Sequence, residues 1–375
     1  MAGTGGAGGV GAQGRRRAVV MTDDEELLDE VVRLAAAAGA ELERVPDAAG
    51  VRRRWHTAGL VLVDEDAARA LGPLRPGRRD GVVLLCRGEP PGSVWERAVA
   101  VGAEHVVSLP DGEHWLISAL ADTGARSSPD VGPGRVVAVV GGRGGAGASV
   151  LAVAIAGRAS TGGTRALLVD CDPLGGGIDL LAGAEELEGF RWGGLALGGG
   201  GGGRVSAASL HEALPSPDGM LTVLSCDRQG AGPEPDAAVA VIEAGRRAGD
   251  VVVCDLPRHL SDTALAVADA ADLVVLVVPT EVRAVAAAAR VAEPLAERGV
   301  PLRLVVRGPA PGGLDADDVA RALGLDVLVS VAPEPGLAPA LDRGKVPGLR
   351  RGPLQDAATA VLDALDAVAD RGRAA

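Results

Sequence analysis

Lysine is almost missing from this 375-residue chain. Lys345 is the only one, and the other 36 basic residues are Arg. Any chemistry that needs an ammonium group must use Lys345 or go without. Tyr is absent, Phe190 is the only Phe, and there are four Trp. So few aromatic rings argue against a base-stacking platform for single-stranded nucleic acid. The core must be built from Ala, Val and Leu. The four cysteines, Cys86, Cys171, Cys226 and Cys254, are nowhere closer than 28 positions. No C-x-x-C pair exists, so buried reduced thiols are expected. The five histidines (56, 105, 114, 211 and 259) show no metal-ligand spacing. No run of about 18 uninterrupted apolar residues occurs, and no charged segment precedes an apolar stretch at the N-terminus. The expected location is the cytoplasm.

What is present is a chain 47% hydrophobic and 23% charged, enough to bury a core. The formal net charge is −13. That balance argues against nucleic acid as a general partner. Residues 1–16 read as a disordered tail. From 17 to 121, short apolar runs alternate with helical spacing, at Arg17–Met21, Gly59–Val63, Gly81–Cys86 and His105–Ser108. Residues 122–134, rich in Gly, Ser and Pro, read as a linker. A second α/β unit spans 135–375. Its apolar runs are Val136–Val140, Ala166–Val169, Leu221–Leu224, Val251–Cys254, Leu273–Val278, Leu302–Val306 and Val327–Val331. Near-continuous apolar strands suit a parallel sheet buried on both faces. Gly198–Gly203 reads as a surface loop.

Val136–Ala152, VVAVVGGRGGAGASVLA, is the most informative segment. A strand runs into a Gly-rich turn, and Ser149 then opens a helix. Bare amides and a helix N-terminus make such a turn suited to phosphate. Against the pattern G-x-x-x-x-G-K-[ST], Gly142, Gly147 and Ser149 fit, but Ala148 stands at the Lys position. A tight turn without ligand is the alternative. Two further strands end in carboxylates. LLVDCDP carries Asp170 and Asp172, and VVVCDLP carries Asp255. Strand-end carboxylates can hold Mg²⁺ or orient water, and alone they are commonly helix caps.

The set GGRGGAGAS, LLVDCDPLGGGIDLL, VVVCDLPR and DLVVLVVPTEVRAV resembles the MinD/ParA group of deviant Walker A ATPases. More narrowly, it resembles the CpaE-like, septum site-determining proteins. The resemblance covers about Arg135–Ala369 and implies a P-loop NTPase domain with a mostly parallel sheet. It implies ATP and Mg²⁺ as cofactors. The loop residues Gly142, Arg143, Gly144, Gly145, Ala146, Gly147, Ala148 and Ser149 would surround the nucleotide. Arg143 takes the place of the signature Lys, and Ala148 that of the second Lys. Ser149 and Asp255 would hold Mg²⁺, directly or through water. Asp172 would position water, and Gly175–Gly177 would give its loop mobility.

The resemblance further implies a nucleotide-dependent homodimer acting on protein partners of a division or pilus/secretion machine. Hydrolysis is expected to be weak or absent without a cation at Ala148. The alternative is a slow Mg²⁺-dependent ATPase in ParA-like partitioning. Residues 17–121 resemble a response-regulator receiver, a flavodoxin-like domain. Asp23, Asp24 and Asp64 stand near the acidic positions, but Cys86 and Leu109 replace the hydroxyl and the Lys. A pseudo-receiver used for protein contacts is therefore expected. The closing stripe Leu354, Val361, Leu362, Leu365 and Val368 shares its helix with four Asp, which favours packing onto the domain over a membrane surface. Membrane recruitment would be indirect, through a partner.

Overall fold

The computed structural model describes residues 17–125, 134–195 and 207–374, apart from positions 75, 76, 78, 80, 89, 231 and 311. The expected tail 1–16, most of the linker and the Gly198–Gly203 loop lie outside the described residues. The chain divides into two compact units, Met1–Asp130 and Val131–Ala375.

The first unit alternates β1 (Ala18–Met21), α1 (Glu25–Ala37), β2 (Leu42–Arg44), α2 (Ala48–Arg54), β3 (Leu60–Val63) and α3 (Glu65–Leu71). It continues with β4 (Val82–Arg87), α4 (Gly92–Val101), β5 (His105–Leu109) and α5 (Glu113–Ala125). The five strands are parallel in the order β2-β1-β3-β4-β5. Alternate strand residues face opposite sides. Val20, Leu62 and Leu85 pack with Leu27, Val31, Leu116 and Leu120 of α1 and α5. Val19, Val61 and Leu84 pack with Val51, Leu71 and Val94 of α2, α3 and α4. The strand β2 and helices α2 and α3 have no counterpart in the sequence expectation. β2 is a three-residue edge strand with two charged residues, so no apolar run marks it. α5 continues to Ala125.

The second unit begins β6 (Arg135–Gly141), α6 (Ala148–Thr161), β7 (Ala166–Asp170), α7 (Ile178–Ala182) and α8 (Ala207–Ala213). There follow β8 (Leu221–Leu224), α9 (Pro235–Ala248), β9 (Val251–Leu256), α10 (Asp262–Ala270), β10 (Leu273–Pro279) and α11 (Val282–Glu297). Last come β11 (Leu302–Arg307), α12 (Ala316–Leu323), β12 (Val327–Val331), α13 (Leu337–Leu341) and α14 (Pro353–Ala374). All seven strands pair in parallel, in the order β12-β11-β10-β6-β9-β7-β8.

Val136, Ala138 and Val140 of the central strand β6 face α9, α10 and α11. Val137 and Val139 face α6 and α14. Both faces are covered, which is why these strands read as unbroken apolar runs. α6 is rich in Ala, so its backbone can lie close to both the sheet and α14. Leu354, Ala357, Ala358, Val361 and Leu365 of α14 are buried there, as the apolar stripe predicts. Among the described residues no helix is long and apolar enough to cross a membrane.

Candidate functional site

The seven parallel strands place their carboxyl ends on one edge, and β6 delivers the Gly-rich turn to the middle of it. Gly142 is buried where the turn leaves the sheet. A Cβ there would lie 2.6 Å from Cβ of Ala288 on α11, so close packing alone requires glycine. Gly147 caps α6 with φ at 98°, a conformation that L side chains rarely adopt. Among the described residues, the amides of Gly144, Gly145, Gly147, Ala148 and Ser149 have no hydrogen-bond partner. The first amides of any helix are orphaned. Here the loop adds more donors, and an anion at the start of α6 would meet them together with the helix dipole.

Asp255 is 4% exposed, near the end of β9. The Ser149 side chain lies close enough to favour the charged carboxyl, yet among the described residues Oδ1 is buried with no partner. Burial pushes this carboxyl up to about 8, against the opposing influence of Ser149, and the nearby Asp170 and Asp172 add to the rise. Buried polar atoms are nearly always satisfied, so an orphaned carboxyl oxygen marks a place for a cation or water. Ser149 and Asp255 thus supply oxygen donors of the kind a Mg²⁺ ion takes. Among the described residues no group of three or more His, Cys, Asp or Glu forms a closed metal site.

Asp170 stands directly across from Asp255 in the parallel register, but its role differs. It accepts from the amides of Asp172 (3.0 Å), Ile178 (3.0 Å) and Cys226 (3.1 Å), and from the Ser225 hydroxyl (3.3 Å). It holds the turn after β7 in shape. Asp172 accepts from the Leu174 amide at 3.1 Å and stays half-buried. In the same turn the Arg228 guanidinium packs on Gly177, where a Cβ would lie 1.9 Å from Nη1, and pairs with buried Asp179 at 2.9 Å. Nothing in the sequence pattern joins Arg228 to Gly177, because 51 positions separate them.

Arg143 is half-buried. Its Nη1 donates to the Gly144 carbonyl at 2.8 Å and its Nη2 pairs with Glu281 at 2.9 Å, at the start of α11. Ala148 packs its methyl toward the α6 core and brings no charge. The sequence reading missed Arg307, whose Nη1 lies 3.2 Å from where a Gly147 Cβ would stand. The four cysteines are buried and free, and burial pushes the thiols of Cys86, Cys171, Cys226 and Cys254 up.

In the first unit the acids at the sheet edge are engaged internally. Asp64 caps α3, accepting from the Ala67 amide at 2.7 Å, and it accepts the Thr22 hydroxyl at 2.5 Å. Asp24 caps α1 through the Glu26 and Leu27 amides, and these bonds with Arg87 hold its carboxyl below the usual range. Asp23 is exposed, while Cys86 and Leu109 are buried.

Two doubly covered parallel sheets, the second with a glycine cradle at its central strand, define a protein with a CheY-like N-terminal domain. Its C-terminal sheet resembles those of MinD/ParA P-loop NTPases. Residues 21–131 match the family described as Rv3660c-like, CheY-like N-terminal domain. The chain is 46% identical over 346 residues to the uncharacterized protein Rv3660c of Mycobacterium tuberculosis H37Rv. That match covers 92% of this chain and 97% of the relative. An uncharacterized protein of strain CDC 1551, MT3760, matches to the same extent. The chain belongs to this Rv3660c-like family. Among solved structures, the MinC:MinD cell division protein complex of Aquifex aeolicus aligns with TM-score 0.51 and 20% identity. It covers 61% of this chain and 96% of the other. The septum site-determining protein MinD complexed with Mg-ADP, from Pyrococcus horikoshii, aligns with TM-score 0.50 and 16% identity, covering 60% and 93%. At these identities the likeness is one of fold.

Proposed function

We propose that the C-terminal unit binds ATP with Mg²⁺ and uses it as a switch rather than as fuel for rapid turnover. One observation carries this reading: the buried, unpartnered Oδ1 of Asp255 beside Ser149, under a loop of free amides. The loop amides of Gly144, Gly145 and Gly147 would take phosphate oxygens. Ser149 and Asp255 would hold the metal, whose chemistry is to neutralise phosphate charge and orient the phosphates. Ala148 puts no cation at the position where the resembled family places one, which argues for slow hydrolysis. Asp172 holds the Leu174 amide with Oδ1, and its second oxygen would be the one to orient water.

The physiological reading is a CpaE-like spatial regulator that forms a nucleotide-dependent homodimer and engages division or pilus/secretion proteins. The family resemblance and the fold support it, and the first unit would serve as a protein-contact module. Calorimetric titration of the full chain with ATP, with and without Mg²⁺, tests the core of the proposal, paired with a phosphate-release assay. Mg²⁺-dependent binding with little release is expected. No binding, or release as fast as that of ordinary MinD or ParA proteins, would overturn it. A salt-sensitive shift of duplex DNA would favour partitioning instead.

A further inference from the structure

Strand β11 brings a guanidinium to the Gly-rich turn from outside it. Arg307 is the last residue of β11, paired in register with Pro279 of β10, and its carbonyl accepts from the Thr280 amide at 3.0 Å. Its Nη1 approaches Gly147, the N-cap of α6, so closely that a Cβ there would be 3.2 Å away. Among the described residues the guanidinium has no hydrogen-bond or ion-pair partner, in a chain with 50 acidic residues. Glu281, two residues past its register partner Pro279, is taken by Arg143. Adjacent Thr280 is 3% exposed, and its hydroxyl is also without a partner.

We propose that Arg307 is the phosphate-binding cation of this site, supplying from β11 the charge that Ala148 lacks in the loop. This rests on the nucleotide reading above. The free fork of Arg307 can meet two oxygens of one phosphate, which a loop Lys cannot do. Gly147 leaves its approach open, and the amides of Ala148 and Ser149 face the same anion. Arg143, by contrast, already shares its charge with Glu281 and the Gly144 carbonyl.

The test is titration of the full chain with Mg²⁺-ATP and, separately, with Mg²⁺-tripolyphosphate, which has no base or ribose. Arg307→Ala should weaken both ligands by about 10- to 100-fold, the loss of a charge-assisted contact. Arg307→Lys should recover part of this, and Arg143→Ala should cost less than Arg307→Ala. Thermal melts check the fold, and Arg307→Gln, which keeps the inner methylenes and an amide donor without charge, decides if the Ala variant melts early. Wild-type affinity in Arg307→Ala, with ATP binding lost in Asp255→Asn, would overturn the assignment and leave the nucleotide reading standing. Weakened ATP binding with unchanged tripolyphosphate binding would also overturn it, since Arg307 would then meet the base or ribose. So would ATP binding without any tripolyphosphate binding to wild type. A wild-type protein that binds neither ligand ends both readings.

Discussion

The N-terminal sheet presents Thr22, Asp24 and Asp64 at its carboxyl edge, and the C-terminal sheet presents Asp170, Asp255 and Arg307 at its own. In the first unit the chain consumes these groups. Asp64 takes an amide and a hydroxyl, Asp24 takes two amides, and Arg87 pairs with Asp24 and Glu26. In the second unit Asp170 is consumed in the same way, but among the described residues Asp255 keeps an orphaned oxygen and Arg307 keeps a free fork. Unsatisfied buried polar atoms are costly, and sequences keep them where something else completes them. The same edge of the same kind of sheet is thus closed in one unit and open in the other.

Substitutions at the facing pair Asp170 and Asp255 test this contrast most strongly. Asp170→Asn replaces one of the two acceptor oxygens with an NH2, which must face either the Asp172 amide or the Ile178 and Cys226 amides. It should destabilise the second unit by about 3–5 kcal/mol, the range for breaking a buried charged network. Denaturant unfolding checks it. A loss under about 1 kcal/mol would mean that Asp170 is not the brace of its turn.

Asp255→Asn should behave oppositely. A carboxyl pushed up to about 8 is already mostly uncharged at pH 7, so the amide is close to an electrostatic match. Stability should stay within about 1 kcal/mol, while Mg²⁺-dependent ATP affinity falls about 100-fold. Unfolding and titration on one preparation separate the two effects. Retained affinity would remove Asp255 from the site.

Most of both sheets is legible in the chain. Leu221–Leu224 and Val327–Val331 are marked by their apolar runs alone, and the other runs fall within a residue or two of their strands. The errors at strand ends have one physical origin. The apolar runs at Ala166–Val169, Val251–Cys254 and Leu302–Val306 stop where the core stops, but the strands go on to Asp170, Leu256 and Arg307. Those extra residues stand at the sheet edge, where polar groups are needed. The Gly-rich turn and Asp255 are visible because motif and strand are contiguous. Arg307 is not visible, because only the order β11-β10-β6 carries it to a loop 160 positions away. Likewise nothing local says that Glu281 occupies Arg143, or that Asp64 caps a short helix rather than standing free.

The closed edge yields a smaller effect. Asp64→Ala removes the cap of α3 and the partner of Thr22, and should cost about 1–2 kcal/mol. Asp64→Asn keeps a capping oxygen and should stay within about 0.5 kcal/mol. A small phosphodonor should leave Asp64 unmodified, since its oxygens are engaged and Leu109 offers no cation. Mass spectrometry showing a labelled Asp64 would reopen the edge and erase the contrast.

The smallest effect belongs to Glu281, and it asks how open the second edge is. Glu281 begins α11 without making a side-chain cap bond, and its pair with Arg143 is part-exposed, with 44% of the Glu281 side chain accessible. Such pairs contribute about 0–1 kcal/mol, so Glu281→Gln should change stability by less than about 0.5 kcal/mol. Its effect on ligand should be favourable. A carboxylate beside the turn repels phosphate and holds Arg143 on itself. Removing that charge should raise ATP affinity by about 2- to 5-fold, less than the loss from Arg307→Ala because Arg143 still bonds the Gly144 carbonyl. The gain should shrink at high salt, as an electrostatic term must. In an Arg143→Ala background most of the gain should vanish, because the released guanidinium is its main source. Titrating wild type, the two single variants and the double variant measures that coupling. Additive effects would show that Glu281 acts on phosphate by repulsion alone, and that Arg143 stays at the rim whether its partner is present or not.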